Sequence, residues 1–212
     1  MKPLTRGMAM TGLKQRMIGQ FHHPHGLGGR VAGWVMAHRG SNRQRNVWVV
    51  SLLDIRPAER VLEVGFGPGI AIGELAARAT RGRVYGVDHS AVMVERASRR
   101  TRAAADRIEL IHASVDRLPS FGEPLDAVLA VNSSGFWPDP PQRLRELRSL
   151  LRPGGRIALA SQPRCPGANR DTTTRAAGEL RDLLTKAGFT GLRVETLDLD
   201  PPVACVLGVN PG

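Results

Sequence analysis

The chain has 212 residues, 42% of them hydrophobic, with 30 Lys or Arg against 19 Asp or Glu and a formal net charge of +11. That length suits one α/β domain with a sizeable core, and no run approaches the ~20 apolar residues of a membrane span. Cys165 and Cys205 are too far apart in sequence for a disulfide framework or a metal cluster, and no secretory apolar run opens the chain. The expected setting is reduced and cytoplasmic, with no metal.

The charge is uneven. Residues 1–60 carry ten Lys or Arg and two acids, a balance of +8, whereas residues 61–212 carry twenty against seventeen. A basic arm can hold phosphates or lie on an anionic surface. Solvated helix faces are the plainer account, and because only Lys2, Lys14 and Lys186 are lysines, a general bias toward Arg competes with both. The opening residues are basic and acid-free, a pattern also seen in transit peptides. Two short helical patterns, about 28–38 and 43–53, follow the stretch Phe21-His22-His23-Pro24-His25-Gly26-Leu27-Gly28-Gly29. Residues 1–56 therefore read as a helical cap, a lid over the core at 57–212, with Trp34, Met36 and Trp48 packing it down. His22 and His25 are candidates for a base or an acceptor contact; without a second ligand cluster they do not indicate a metal.

From residue 60 short apolar runs alternate with longer helical patterns, as in βαβ units around a parallel sheet. Strands are predicted at 60–64, 83–87, 108–112, 125–131 and 156–161, and helices near 70–79, 90–104, 139–151 and 172–187. Asp139 can cap the third helix, Pro140 and Pro141 suit its first turn, and Arg152-Pro153-Gly154-Gly155 would stop it. The last two β-type runs, about 189–199 and 202–209, are separated only by Asp200-Pro201. That gap is too short for a parallel crossover and predicts an antiparallel pair. The fold class is thus α/β: five parallel strands closed by a C-terminal antiparallel hairpin.

The first strand runs into Val61-Leu62-Glu63-Val64-Gly65-Phe66-Gly67-Pro68-Gly69. Glycines there let the backbone approach a ligand and open a helix whose N-terminus faces it. Asp88, ending the second strand about 20 residues on, is placed to accept hydrogen bonds from both hydroxyls of a ribose. Two details argue against a dinucleotide. The fingerprint's third glycine is replaced by Ile70, and Glu63 would repel a pyrophosphate while helping to hold a cation. No Gly-Lys-Ser/Thr follows, so a P-loop is excluded.

These residues resemble the class I S-adenosylmethionine-dependent methyltransferases, particularly their small-molecule branch of quinone and sterol enzymes. The resemblance spans roughly 57–212. It rests on Leu62–Gly69, on Gly86-Val87-Asp88-His89-Ser90 with Met93, and on Leu151-Arg152-Pro153-Gly154-Gly155-Arg156. It implies a Rossmann-like sheet with S-adenosylmethionine as cofactor. Glu63, Gly65, Gly67 and Gly69 would cradle the methionine part, Asp88 the ribose, and His89 and Met93 the adenine. The family's acidic residue for the adenine amino group is replaced by Ala113-Ser114-Val115; Ser114 can still accept a hydrogen bond, and Asp116 lies two residues on. Methyl transfer is an in-line displacement that needs a base only when the acceptor must lose a proton, so no catalytic residue need be visible. Asn132, in Asn132-Ser133-Ser134-Gly135-Phe136-Trp137-Pro138, sits where cofactor and acceptor would meet. That stretch lacks the motifs of base-methylating enzymes, and Cys165 reads as an ordinary loop cysteine. A small or lipid-like acceptor is expected; RNA held by the basic segment, or a catalytically silent cofactor-binding partner, are the alternatives.

Overall fold

The computed structural model describes residues 40–212. Strands β1 (Arg60–Val64), β2 (Arg83–Asp88), β3 (Ile108–His112), β4 (Leu125–Val131), β5 (Leu151–Ser161), β6 (Thr190–Leu197) and β7 (Val203–Val209) form one sheet in the order β3-β2-β1-β4-β5-β7-β6. The first five run parallel, and β7 is antiparallel to both β5 and β6. The expected architecture is present, with one feature the spacing did not reveal: β7 sits inside the sheet and β6 forms its edge.

Helices α1 (Gly40–Leu52), α2 (Ile70–Arg78), α3 (Ala91–Arg100), α4 (Pro140–Leu150) and α5 (Arg170–Lys186) cover both faces. On one, Val49, Val50, Ile72, Leu75, Met93 and Ala97 pack on Val61, Ala127 and Leu129. On the other, Leu144, Leu147, Leu180 and Leu184 pack on Leu62, Val128 and Leu159. Because each strand is apolar toward both faces, its sequence reads as a continuous run instead of an alternation.

Residues 49–53 of the expected cap belong to this core. Val49, Val50 and Leu53 are fully buried in the same cluster as Ile72 and Leu75, and Trp48 packs beside them. The helix expected at 28–38, the lid over 1–27 and His22, His25, Trp34 and Met36 lie outside the described residues.

Helix ends mostly follow the capping chemistry. Asp139 accepts from the Gln142 N–H at 3.2 Å, with Pro140 and Pro141 in the first turn of α4. Helix α5 begins two residues earlier than expected, because Asn169 and Thr172 form a reciprocal capping box ahead of Asp171. The helix predicted near 90–104 closes at Arg100 and continues only as a single 3-10 turn over Arg102–Ala104. Strand β5 also begins early. Leu151 pairs with Leu125 before the ladder shifts register, and Gly154, at φ +75°, turns to pair with Asn210. The Pro-Gly-Gly stretch is thus a bulged part of the strand, not only a turn before it.

Candidate cofactor and acceptor site

The strand order reverses between β1 and β4, where successive connections leave on opposite sides and open a crevice at the carboxyl ends of the strands. The glycine loop after β1 lies at this point. Its three glycines answer three different constraints. A Cβ on Gly65 would stand 2.4 Å from that of Ser133, whose Oγ donates to the Val64 carbonyl at 2.6 Å, while the Gly65 N–H reaches the Val87 carbonyl at 2.7 Å. The loop is thereby pinned between the ends of β2 and β4. At Gly69, the N-cap of α2, a Cβ would meet Ala97 of α3 at 2.6 Å, so this glycine serves helix packing. Only at Gly67, φ +53°, would a Cβ find nothing within 4 Å. That is the open side of the loop.

Asp88 is 5% exposed. Its Oδ2 accepts from the Gly67 N–H at 2.8 Å and its Oδ1 from the Ser90 N–H at 2.9 Å. Burial pushes this carboxyl above the usual carboxylate range, opposed by those two donors and by the nearby His89 and His112. The same side chain therefore holds the glycine loop to the end of β2 and retains lone pairs for further donors.

Glu63 is 1% exposed on the face of the sheet shared with Val61. It accepts from the Ile72 N–H, yet Oε2 has no hydrogen-bond partner. Burial, then the neighbouring Asp88, raise its carboxyl well above the usual range. A buried, unsatisfied carboxyl oxygen is costly unless something satisfies it. Lying beneath an open glycine loop, it suits a ligand carrying positive charge, such as the ammonium and sulfonium of S-adenosylmethionine.

The other predicted positions divide. The His89 side chain is 45% exposed, with Nδ1 3.8 Å from Asp88. Met93 is 2% exposed and packs in the core against which α3 lies, and Val115, 7% exposed, packs on the opposite face of the sheet. Ser114 hydrogen-bonds to Asp116 and draws that exposed carboxyl below its usual range, leaving the Ser114 oxygen able to accept. Asn132, at φ +54°, donates its N–H to the Ala160 carbonyl and accepts the Gln162 N–H on Oδ1 at 2.7 Å. It clamps β4 to β5.

Sequence reasoning quoted Gly86, Ser90 and Ser133 within motifs without giving them a role, and missed Gln162 and Arg45. A Cβ on Gly86 would fall 2.7 Å from the ring of Phe66 and 2.8 Å from Ile72, so this strand glycine makes room for the loop's only aromatic residue. Arg45 of α1, 3% exposed, donates to Gln162 Oε1 and Asn42 Oδ1. Gln162 in turn donates to the Pro201 carbonyl at 2.8 Å. A glycine at strand register within the Gly86–Ser90 motif was a usable signal for the role of Gly86; nothing local pointed to Arg45 or Gln162, which are 117 residues apart.

Comparisons with known proteins agree with this geometry. A family model described as a methyltransferase domain matches residues 61–155. The uncharacterized methyltransferase YdaC of Bacillus subtilis (strain 168) is 28% identical over 182 residues, covering 85% of this chain and 98% of that protein. A demethylmenaquinone methyltransferase of Clavibacter sepedonicus is 35% identical over 114 residues, covering 53% of this chain and 45% of that protein, less than half of its length. Among solved structures, the N-methyltransferase NodS from Bradyrhizobium japonicum WM9, in complex with S-adenosyl-L-homocysteine, superposes with a TM-score of 0.66 at 18% identity over 84% of this chain and 92% of that one. The methyltransferase-domain match, the likeness to YdaC and the shared fold, with the glycine loop, the carboxylate ending β2 and the inserted antiparallel strand in place, together support a class I S-adenosylmethionine-dependent methyltransferase.

Proposed function

We propose that the chain methylates a small or lipid-like acceptor bound at the carboxyl ends of β4 and β5. The observation that carries this reading is Phe136, 57% exposed in the turn directly after β4. An apolar ring there suits an apolar molecule and offers nothing to a phosphate backbone. The likeness to a demethylmenaquinone methyltransferase points the same way.

In this reading Glu63 and the loop through Gly65, Gly67 and Gly69 hold the methionine end. Asp88 takes the ribose hydroxyls, His89 and Met93 flank the adenine with Ser114 and Val115 beyond, and Asn132 separates cofactor from acceptor. The bound cofactor supplies a methyl group on an already activated sulfonium leaving group. The chain's own contribution is alignment, a term worth up to ~7–11 kcal/mol when reacting groups are held in line. The clamps Ser133–Val64 and Asn132–Gln162 fix the floor on which that alignment depends. Residues 1–56 complete the acceptor side in this scheme. Deleting 1–27 should leave cofactor affinity within a few-fold and abolish or broaden transfer.

The test is transfer of labelled methyl from S-adenosylmethionine into fractionated small-molecule, lipid, RNA and protein pools. Label in the small-molecule or lipid pool supports the proposal. Label in RNA, with salt-dependent retention, would favour the second reading, which the +8 balance of residues 1–60 motivates. Cofactor binding with no transfer to any pool would leave a catalytically silent partner.

A further inference from the structure

Strand β6 leaves one edge of the sheet open. It is 8 residues long, contains neither proline nor lysine, and pairs on one side only, with β7. Among the described residues its outer main-chain N–H and C=O groups have no strand beside them. Such a row is a template for another strand, and sheets usually guard it with proline, lysine or a covering segment. At the middle of β6 stands Val194, 44% exposed; it and Phe136 are the large apolar side chains exposed among the described residues. The proposed acceptor accounts for Phe136. It does not account for Val194, which lies three strands beyond β4, roughly 14 Å away.

The charges around Val194 say what would cover it. Arg193 and Glu195 flank it, share the other face of the strand and pair with each other at 3.2 Å, with side chains 57% and 39% exposed. Like charges here would repel a second copy of the strand; opposite charges placed symmetrically about Val194 attract one. When two copies of a strand pair antiparallel about a twofold axis normal to the sheet, matching faces stay together and the axis passes through a residue position. With the axis at Val194, Arg193 faces the partner's Glu195 and Glu195 faces the partner's Arg193. Val194 meets the partner's Val194, and Leu192 the partner's Thr196. The four charges then alternate in sign around a ring. Moving the axis by one residue sets Arg193 against Arg193 or Glu195 against Glu195, so charge selects the register.

We propose that β6 is the surface through which two copies of this chain associate, antiparallel and centred on Val194, into one continuous sheet. Main-chain hydrogen bonds extend the ladder, the Val194 pair covers the exposed apolar side chain, and the charge quartet fixes the register. Because β6 lies four places from β1 in the sheet, the glycine loop and its crevice stay open in both copies.

The experiment is sedimentation velocity on the full chain at rising concentration. The native chain is expected to pass reversibly from monomer to dimer, with a dissociation constant in the micromolar range that suits a small interface. Arg193→Glu and Glu195→Arg should each raise that constant at least tenfold, because like charges then face each other twice. An equimolar mixture of the two variants should restore a dimer containing one of each, within threefold of the native constant, and so should the double exchange in a single chain. A native chain that stays monomeric throughout overturns the proposal. So does a dimer that both single exchanges leave intact, which would place the interface elsewhere, and so does a mixture that fails to associate. If either single variant does not fold by circular dichroism, Val194→Lys decides: it sets two cations together at the axis, and a dimer that survives it refutes the pairing. No ligand or turnover enters the test, so the methyl-transfer reading stands or falls separately, in the labelling assay.

Discussion

Replacing Asp88 by alanine removes two things at once. The folded chain loses the acceptor for the Gly67 and Ser90 N–H groups, at 2.8 and 2.9 Å. A hydrogen bond to a charged group contributes about 1.5–3 kcal/mol. Against this, burial pushes the Asp88 carboxyl above its usual range and so disfavours its charge, and removing it recovers part of that cost. The net loss of stability should be about 1–3 kcal/mol, or about 3–10 °C in melting temperature for a chain of this size. Under the proposed assignment of Asp88 to the ribose, cofactor binding should suffer more, because two hydroxyls would lose their partner and the loop its anchor. A combined cost of about 2–4 kcal/mol corresponds to roughly 30- to 1000-fold in Kd. Titration calorimetry of S-adenosylhomocysteine on the folded variant measures this, with NAD as a ligand that neither protein should bind. Affinity within threefold of the native chain would refute the assignment of Asp88 to the ribose.

Gly69→Ala forces a side chain into positive φ, about 1–2 kcal/mol, and drives its Cβ to 2.6 Å from Ala97, adding about 1–3 kcal/mol of overpacking. A thermal melt should fall by several degrees; an unchanged melt would contradict the α2–α3 packing described above. Ser133→Ala removes the 2.6 Å bond to the Val64 carbonyl and should cost about 1 kcal/mol in denaturant titration, with a measurable loss of cofactor affinity as the loop loosens. Glu63 and Asp88 both have carboxyls raised in the folded chain. The folded state therefore binds more protons than the unfolded one between the ordinary and raised values, and ligand-free stability should fall as pH rises from about 4 through that window. Glu63→Gln should flatten the slope in melts recorded across it, and should also weaken the rise of S-adenosylmethionine affinity with pH expected when a cation favours ionised Glu63.

The features legible in the sequence were those governed by neighbours along the chain. Continuous apolar runs located β1 and β4 to the residue, and the Asp139-Pro140-Pro141 signal located the start of α4, because burial on two faces and capping are set within a few positions. The alternation of parallel strands followed from the same runs. What was not legible depends on distant pairing. The insertion of β7 between β5 and β6 is decided by the ladder Arg156–Ser161 against Ala204–Val209, and Pro153-Gly154-Gly155 became a bulge because Asn210 reaches it. At the site, Glu63 was noticed for its charge, but its unsatisfied oxygen appears only once Ile72 folds over it. Met93 shows the converse: a motif position whose side chain is placed mainly by the core.

The internal position of β7 has a consequence for how the chain is made. During synthesis β6 emerges before β7, which is its sole neighbour in the sheet. Until β7 arrives, β5 presents an open, largely apolar edge and β6 has nothing to pair with. Unpaired edges of this kind are templates for association with other chains. Completion of the sheet is a late, long-range step, and an interruption between residues 197 and 203 would leave a nascent chain that carries the whole glycine-loop motif yet is prone to aggregate. A chaperone that shields β5 would act in that interval.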